Sequence, residues 1–149
     1  MSRVLRSFSV VASLLAFCLP LDLAAQGREI VVGQVAPFSG PQAVTGRAIH
    51  AGVKLYLDHV NAQGGVRGAK IRLLTRDDAQ QAAQTVALTR ELIASESPVA
   101  LIGTVGTANV EALIADGVLQ SSGVPLVGAV SGASSAIAGN KVFVIKASY

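Results

Sequence analysis

The chain is poor in the residues that mark several function classes. It holds one cysteine, no tryptophan and only 4% aromatic residues among 149. One cysteine cannot pair within the chain, which excludes a mini-domain stapled by disulfides or by a cysteine-built metal site. So few aromatic side chains leave no stacking platform for single-stranded nucleic acid. A net charge of +3 is too small to argue for a polyanionic partner. Charged residues make up 14% against 51% apolar, the reverse of a disordered chain. The length fits about one domain at roughly 150 residues each.

What is present divides into two parts. Residues 1–25 carry Arg3 and Arg6 ahead of an apolar run, Val10–Leu21, broken only by Ser13 and Pro20. Leu23-Ala24-Ala25 then sets a small residue before Gln26. This is the pattern of a secretory signal peptide cut before Gln26. The run falls short of the about 20 apolar residues that a membrane span needs. A lipoprotein cut at Cys18 is disfavoured by bulky Phe17 before it. The mature chain, 26–149, then has no cysteine and is expected outside the inner membrane of a bacterium.

Along 26–149, short apolar runs alternate with helical periodicity. Ile30–Ala36, Lys70–Arg76, Val99–Ile102, Pro125–Gly128 and Val142–Lys146 read as strands. Helices are expected from about Thr45 to Gln63, over Ala82–Ser95 and from about Ala108 to Gln120. Val130–Asn140 reads as loop with one short helical turn. This alternation implies βαβ units and a mostly parallel, doubly wound α/β sheet covered on both faces. Ligands of such sheets bind beyond the carboxyl ends of the strands, where strand order reverses. The loops to watch are 37–46, 77–80, 104–107 and 129–135. With no helix after the last strand, the chain is expected to be cut short.

Gly103-Thr104-Val105-Gly106-Thr107-Ala108 follows a strand and opens a helix, so its free amides suit an anion such as a carboxylate. Thr107 adds a hydroxyl, or serves only as the N-cap. The segment is neither GxGxxG nor GxxxxGK[ST]. Gly128–Ser135 offers a second set of amides and hydroxyls. Asp77-Asp78 lacks a neighbouring histidine or third acid, so turning the chain and capping the next helix outweighs a metal site. His50 and His59 fall on opposite sides of the first helix and cannot share a site there. No GxSxG elbow or base-paired nucleophile appears, so no enzyme, cofactor or metal is expected.

Four stretches resemble one family. They are Ile30–Gly46 (IVVGQVAPFSGPQAVTG), Asn61–Gly68 (NAQGGVRG) leading into Ile71–Asp78, Leu101–Thr107 (LIGTVGT) and Gly123–Ser131 (GVPLVGAVS). In this order they resemble the periplasmic substrate-binding proteins of ABC transporters, within the branched-chain amino acid (Leu/Ile/Val) binding family. The resemblance implies a type I periplasmic binding fold whose two lobes close over a small ligand, here an incomplete first lobe (26–149) without the second. It implies a solute-binding protein that hands an amino acid or amide-like ligand to a membrane permease, or, alternatively, a sensing lobe of the same fold that controls a kinase or other regulator. Residues matching the family's ligand positions are Thr107 and the loop Val130–Ser131–Gly132 for the carboxylate, with Thr45 and Tyr149 lining the cleft. A cysteine pair of some relatives matches Gln80 and Gly106, so that disulfide is absent.

Overall fold

The computed structural model describes residues 27–147. The expected leader, residues 1–25, and Tyr149 lie outside them. The elements are β1 (Glu29–Ala36), α1 (Ala43–Ala62), β2 (Lys70–Asp77), α2 (Ala82–Glu96), β3 (Ala100–Ile102), α3 (Thr107–Asp116), α4 (Val118–Ser122), β4 (Leu126–Ala129), α5 (Ser134–Ile137) and β5 (Val142–Val144). The strands form one sheet in the order β2-β1-β3-β4-β5, and every pair is parallel. The expected doubly wound sheet is therefore wholly parallel. Among the described residues no helix is long and apolar enough to cross a membrane.

Strand order sets which face each helix covers. The β1-to-β2 connection runs one way across the sheet, and the later connections run the other way. Right-handed crossovers of opposite direction place their helices on opposite faces. Side chains confirm this. Gln34 of β1 meets His50 of α1, whereas a Cβ on the adjacent Gly33 would run into Leu92 of α2. Neighbouring strand residues point to opposite faces, so α1 and α2 flank β1 from opposite sides. Gly33 is thus glycine because α2 packs directly on the strand.

The core lies on the α2 face. Val35, Leu92, Leu101, Val110, Leu113, Leu119 and Leu126 form one buried cluster there. The other face is covered in part only: Val127 and Phe143, paired across β4 and β5, are 39% and 58% exposed. The expectation of cover on both faces holds beside α1 and fails over β4 and β5. The helix expected through Gln120 is also two helices. Gly117 adopts φ 76°, ends α3 and starts α4, because a left-handed residue closes a helix end. In α2 the fully buried positions are Thr85, Thr89 and Leu92, with Val86, Leu88 and Ile93 packed beside them. Thr85 is buried there with its hydroxyl on the Asp78 carboxylate.

Leu92 is fully buried against Gly33 and Leu101. Leu92→Ala is expected to lower unfolding free energy by about 2–5 kcal/mol, read by urea denaturation. A loss below about 1 kcal/mol would contradict its central place in the packing.

Candidate functional site

The carboxyl ends of β1 and β3 adjoin at the reversal of strand order, the place where ligands of such sheets bind. The loop after β1 is tied to its neighbour by one carboxylate. Asp77, the last residue of β2, accepts hydrogen bonds on Oδ1 from the backbone N–H groups of Phe38 (2.9 Å), Ser39 (3.2 Å) and Ala79 (2.9 Å). The Ser39 hydroxyl hydrogen bond is the largest influence on this carboxyl, which with the three amides is held down at about 2, against an ordinary 3.8.

Beyond β3 and β4 the two loops are stitched together. Val105 and Val130 form a parallel bridge. The Gly106 N–H donates to the Val130 carbonyl (3.2 Å), and the Val130 N–H donates to the Thr104 carbonyl (2.9 Å). Gly106, with φ 100°, is the N-cap of α3, and no side chain caps that helix. Thr107 therefore stands in the first turn and is not the cap. Its hydroxyl instead shares a 2.9 Å hydrogen bond with Ser131 Oγ, which also accepts from the Ala133 N–H at 3.3 Å. The first amides of an uncapped helix have no intrahelical acceptor, and the helix dipole favours negative charge there. The arrangement is a small cradle of amides and hydroxyls at the start of α3.

The structure thus joins Thr107 to Ser131 and places Val130 and Gly132 on either side of that bond. Gly128–Ser135 is less exposed than its composition suggests, since Gly128, Ala129, Ser131 and Gly132 are buried. Thr45 sits in the first turn of α1, not in a loop. Its hydroxyl donates to Gln42 Oε1 (3.1 Å), and among the described residues no hydrogen bond links it to Thr107 or Ser131. Gln80 and Gly106 do meet: the Gln80 carboxamide occupies the space where a Cβ on Gly106 would stand.

Below the loops lies a polar cluster that sequence reasoning did not assemble. Asp78 is fully buried, and its Oδ2 accepts from Thr85 Oγ1 (2.7 Å) and Asn109 Nδ2 (3.3 Å). Asn109 Nδ2 also donates to Thr85 Oγ1 (2.6 Å). Asp78 Oδ1 accepts from the Gln80 N–H (2.9 Å), an Asx turn. Asp78 thus turns the chain as expected, but it does not cap α2, whose N-cap Gln81 has no side-chain cap hydrogen bond. Both acids of the pair are engaged by donors. Among the described residues no group of three or more His, Cys, Asp or Glu is gathered to hold a metal ion. His50 is half-buried, with Nδ1 2.8 Å from Gln34 Oε1 and its ring edge-on to Phe38, while His59 is exposed. A cavity of about 180 Å³ beside α1 and β2, lined by His50, Lys54, Asp58, Ile71 and Thr75 among others, stands apart from the cradle.

A family profile described as periplasmic binding protein matches residues 29–149. A Leu/Ile/Val-binding protein homolog 7 of Brucella suis is 36% identical over 115 residues, covering 77% of this chain and 27% of the relative. The solved substrate-binding periplasmic protein of Ralstonia solanacearum is 53% identical with a TM-score of 0.78, covering 80% of this chain and 34% of that one. A solute-binding protein of an ABC transporter from Rhodopseudomonas palustris, solved in complex with 3,4-dihydroxybenzoic acid, is 27% identical with a TM-score of 0.68. It shares 76% of this chain and 31% of its own. The chain therefore spans about a quarter to a third of the length of these relatives.

The folded carboxyl of Asp77 lies below its ordinary value, so its stabilisation is complete above about pH 4 and is lost as pH falls toward 2. The thermal midpoint of the parent chain is expected to fall across that window more steeply than that of Asp77→Asn. Parallel curves would remove Asp77 as the tie between the two loops.

Proposed function

The chain belongs to the periplasmic binding protein family, and from that premise we propose that it is the first ligand-binding lobe of an extracytoplasmic solute-binding protein. It delivers an amino acid or amide-like small molecule to the permease of an ABC transporter and catalyses no reaction. Residues 1–25 are its export leader, which puts it in the periplasm. The observation that carries the reading is the Thr107–Ser131 hydrogen bond beside the uncapped start of α3.

A ligand carboxylate there accepts from the first amides of α3, from the Thr107 hydroxyl and from the amides of Ser131 and Gly132, the Val130 N–H being engaged by the Thr104 carbonyl. The α3 dipole adds to this attraction. The ligands named for the relatives support this. Leucine, isoleucine, valine and 3,4-dihydroxybenzoic acid are all small molecules that carry a carboxylate. A second lobe supplies the remaining contacts by hinge closure. The lobe alone leaves the ligand half in water and holds it weakly.

Titration calorimetry of the chain with L-leucine, L-isoleucine, L-valine and 3,4-dihydroxybenzoate is the test. At least one is expected to bind saturably in about the millimolar range, near −4 kcal/mol. Thr107→Val, which removes the hydroxyl and keeps the shape, is expected to weaken that binding by about 0.5–1.5 kcal/mol. Saturable binding that is indifferent to Thr107→Val, or no binding of any of the four, would contradict the proposed site.

A further inference from the structure

We infer that Gln80 is a positioning residue for the cradle, holding the peptide unit that leads into α3. Only its ligand consequence rests on the function proposed above. The geometry begins at the end of β2, where Ala79 and Gln80 adopt φ 47° and 64°. Two consecutive non-glycine residues in the left-handed region are disfavoured and persist only where surrounding bonds hold them. Those bonds are present. Asp77 accepts from the Ala79 N–H, Asp78 Oδ1 accepts from the Gln80 N–H, and the Gln81 N–H donates to the Asp78 carbonyl at 2.8 Å.

The result is that the Gln80 side chain reaches across to the loop after β3. Its Nε2 donates to the Val105 carbonyl at 3.1 Å and to Asn109 Oδ1 at 2.9 Å. Both protons of the amide are used, one on the loop and one on the first turn of α3. The Oε1 is buried without a partner, so the orientation of the carboxamide follows from the two acceptors.

The peptide between Val105 and Gly106 is a rigid plane. Its carbonyl end is held by Gln80, and its N–H end donates to Val130. Clamped at both ends, this plane holds Gly106 in place and so sets the point from which the Thr107 amide opens α3. Gly106 has φ 100°, and the space a Cβ would fill is taken by the Gln80 carboxamide. Asp78, Thr85 and Asn109 brace the same helix ends from below, but of these four side chains Gln80 alone bonds the loop. A glutamate at this position would set a carboxylate against two acceptors, so glutamine is required by its donors and not by its size.

The test uses the whole chain, expressed with its leader and purified from a bacterial periplasm. In the unmutated chain, NMR is expected to show slowed exchange of the Gln80 side-chain amide protons and a scalar coupling across the hydrogen bond to the Val105 carbonyl carbon. Absence of both overturns the inference, whatever the variants do. Gln80→Met fills the same space without donors, and Gln80→Glu keeps the shape and reverses the donor. In both, exchange at the Gly106 amide is expected to rise at least tenfold, while exchange in the β1–β2 ladder stays within about twofold. Protection of Gly106 retained in Gln80→Met would show that the side chain only fills space, and would overturn the inference. With L-isoleucine as probe, the dissociation constant is expected to rise several-fold in Gln80→Met. Should the unmutated chain bind none of the four ligands tested above, the proposed ligand class fails, while the exchange measurements still decide the role of Gln80; should another of the four bind in place of isoleucine, that ligand serves as the probe.

Discussion

The reversal of strand order between β1 and β3 governs the molecule. Parallel strands need crossover connections of one hand, so a change of direction across the sheet sends α1 to one face and α2 and α3 to the other. In open sheets of this kind the loops leaving the two strands part at such a reversal and leave a space above the sheet. Nothing in that space has to be carved by special packing. It follows from connectivity, and the rest of the structure serves to hold its walls still.

Two kinds of bond do the holding. At the surface, Asp77 gathers three amides from two loops onto one oxygen. In the interior, Asp78, Thr85 and Asn109 form a buried cluster in which each donor is matched by an acceptor. Buried polar groups are costly when unpaired and rigidifying when satisfied. Here they fasten the start of α2 to the start of α3. The exposed ion pairs, such as Lys54 with Asp58 at 2.6 Å, add little by comparison. The apolar core supplies stability, and the polar layer above it supplies the direction in which amides point.

Much of the fold was legible in the sequence because its signals are local. β-branched runs such as Ile30–Ala36 and the periodic Ile49, Val53, Leu57 and Val60 identify strand and helix without any partner. The break at Gly117 was also within reach, since a glycine at the end of an apolar period is a helix-stop signal. The start of α1 lies two residues ahead of the expected Thr45, because the approach at 37–41 with its two prolines obscures where the helix begins. The candidate site was legible only in part. Thr107 stood out by its place after a strand, and Ser131 by resemblance. Their contact, like that of Asn109 with Thr85 and Asp78, links residues 24 to 31 apart in the chain, and no local pattern encodes such a pairing. Gln34, fully buried on a central strand beside His50, was hidden for the same reason.

The central claim is that the start of α3 and the 130–132 loop act as one anion-binding surface. Amide chemical-shift mapping with L-isoleucine addresses it directly. The signals of Thr107, Ala108, Ser131 and Gly132 are expected to move together along one saturation curve. Shifts confined to the separate cavity around His50, Lys54 and Thr75, with the Thr107 and Ser131 amides unmoved, would contradict it.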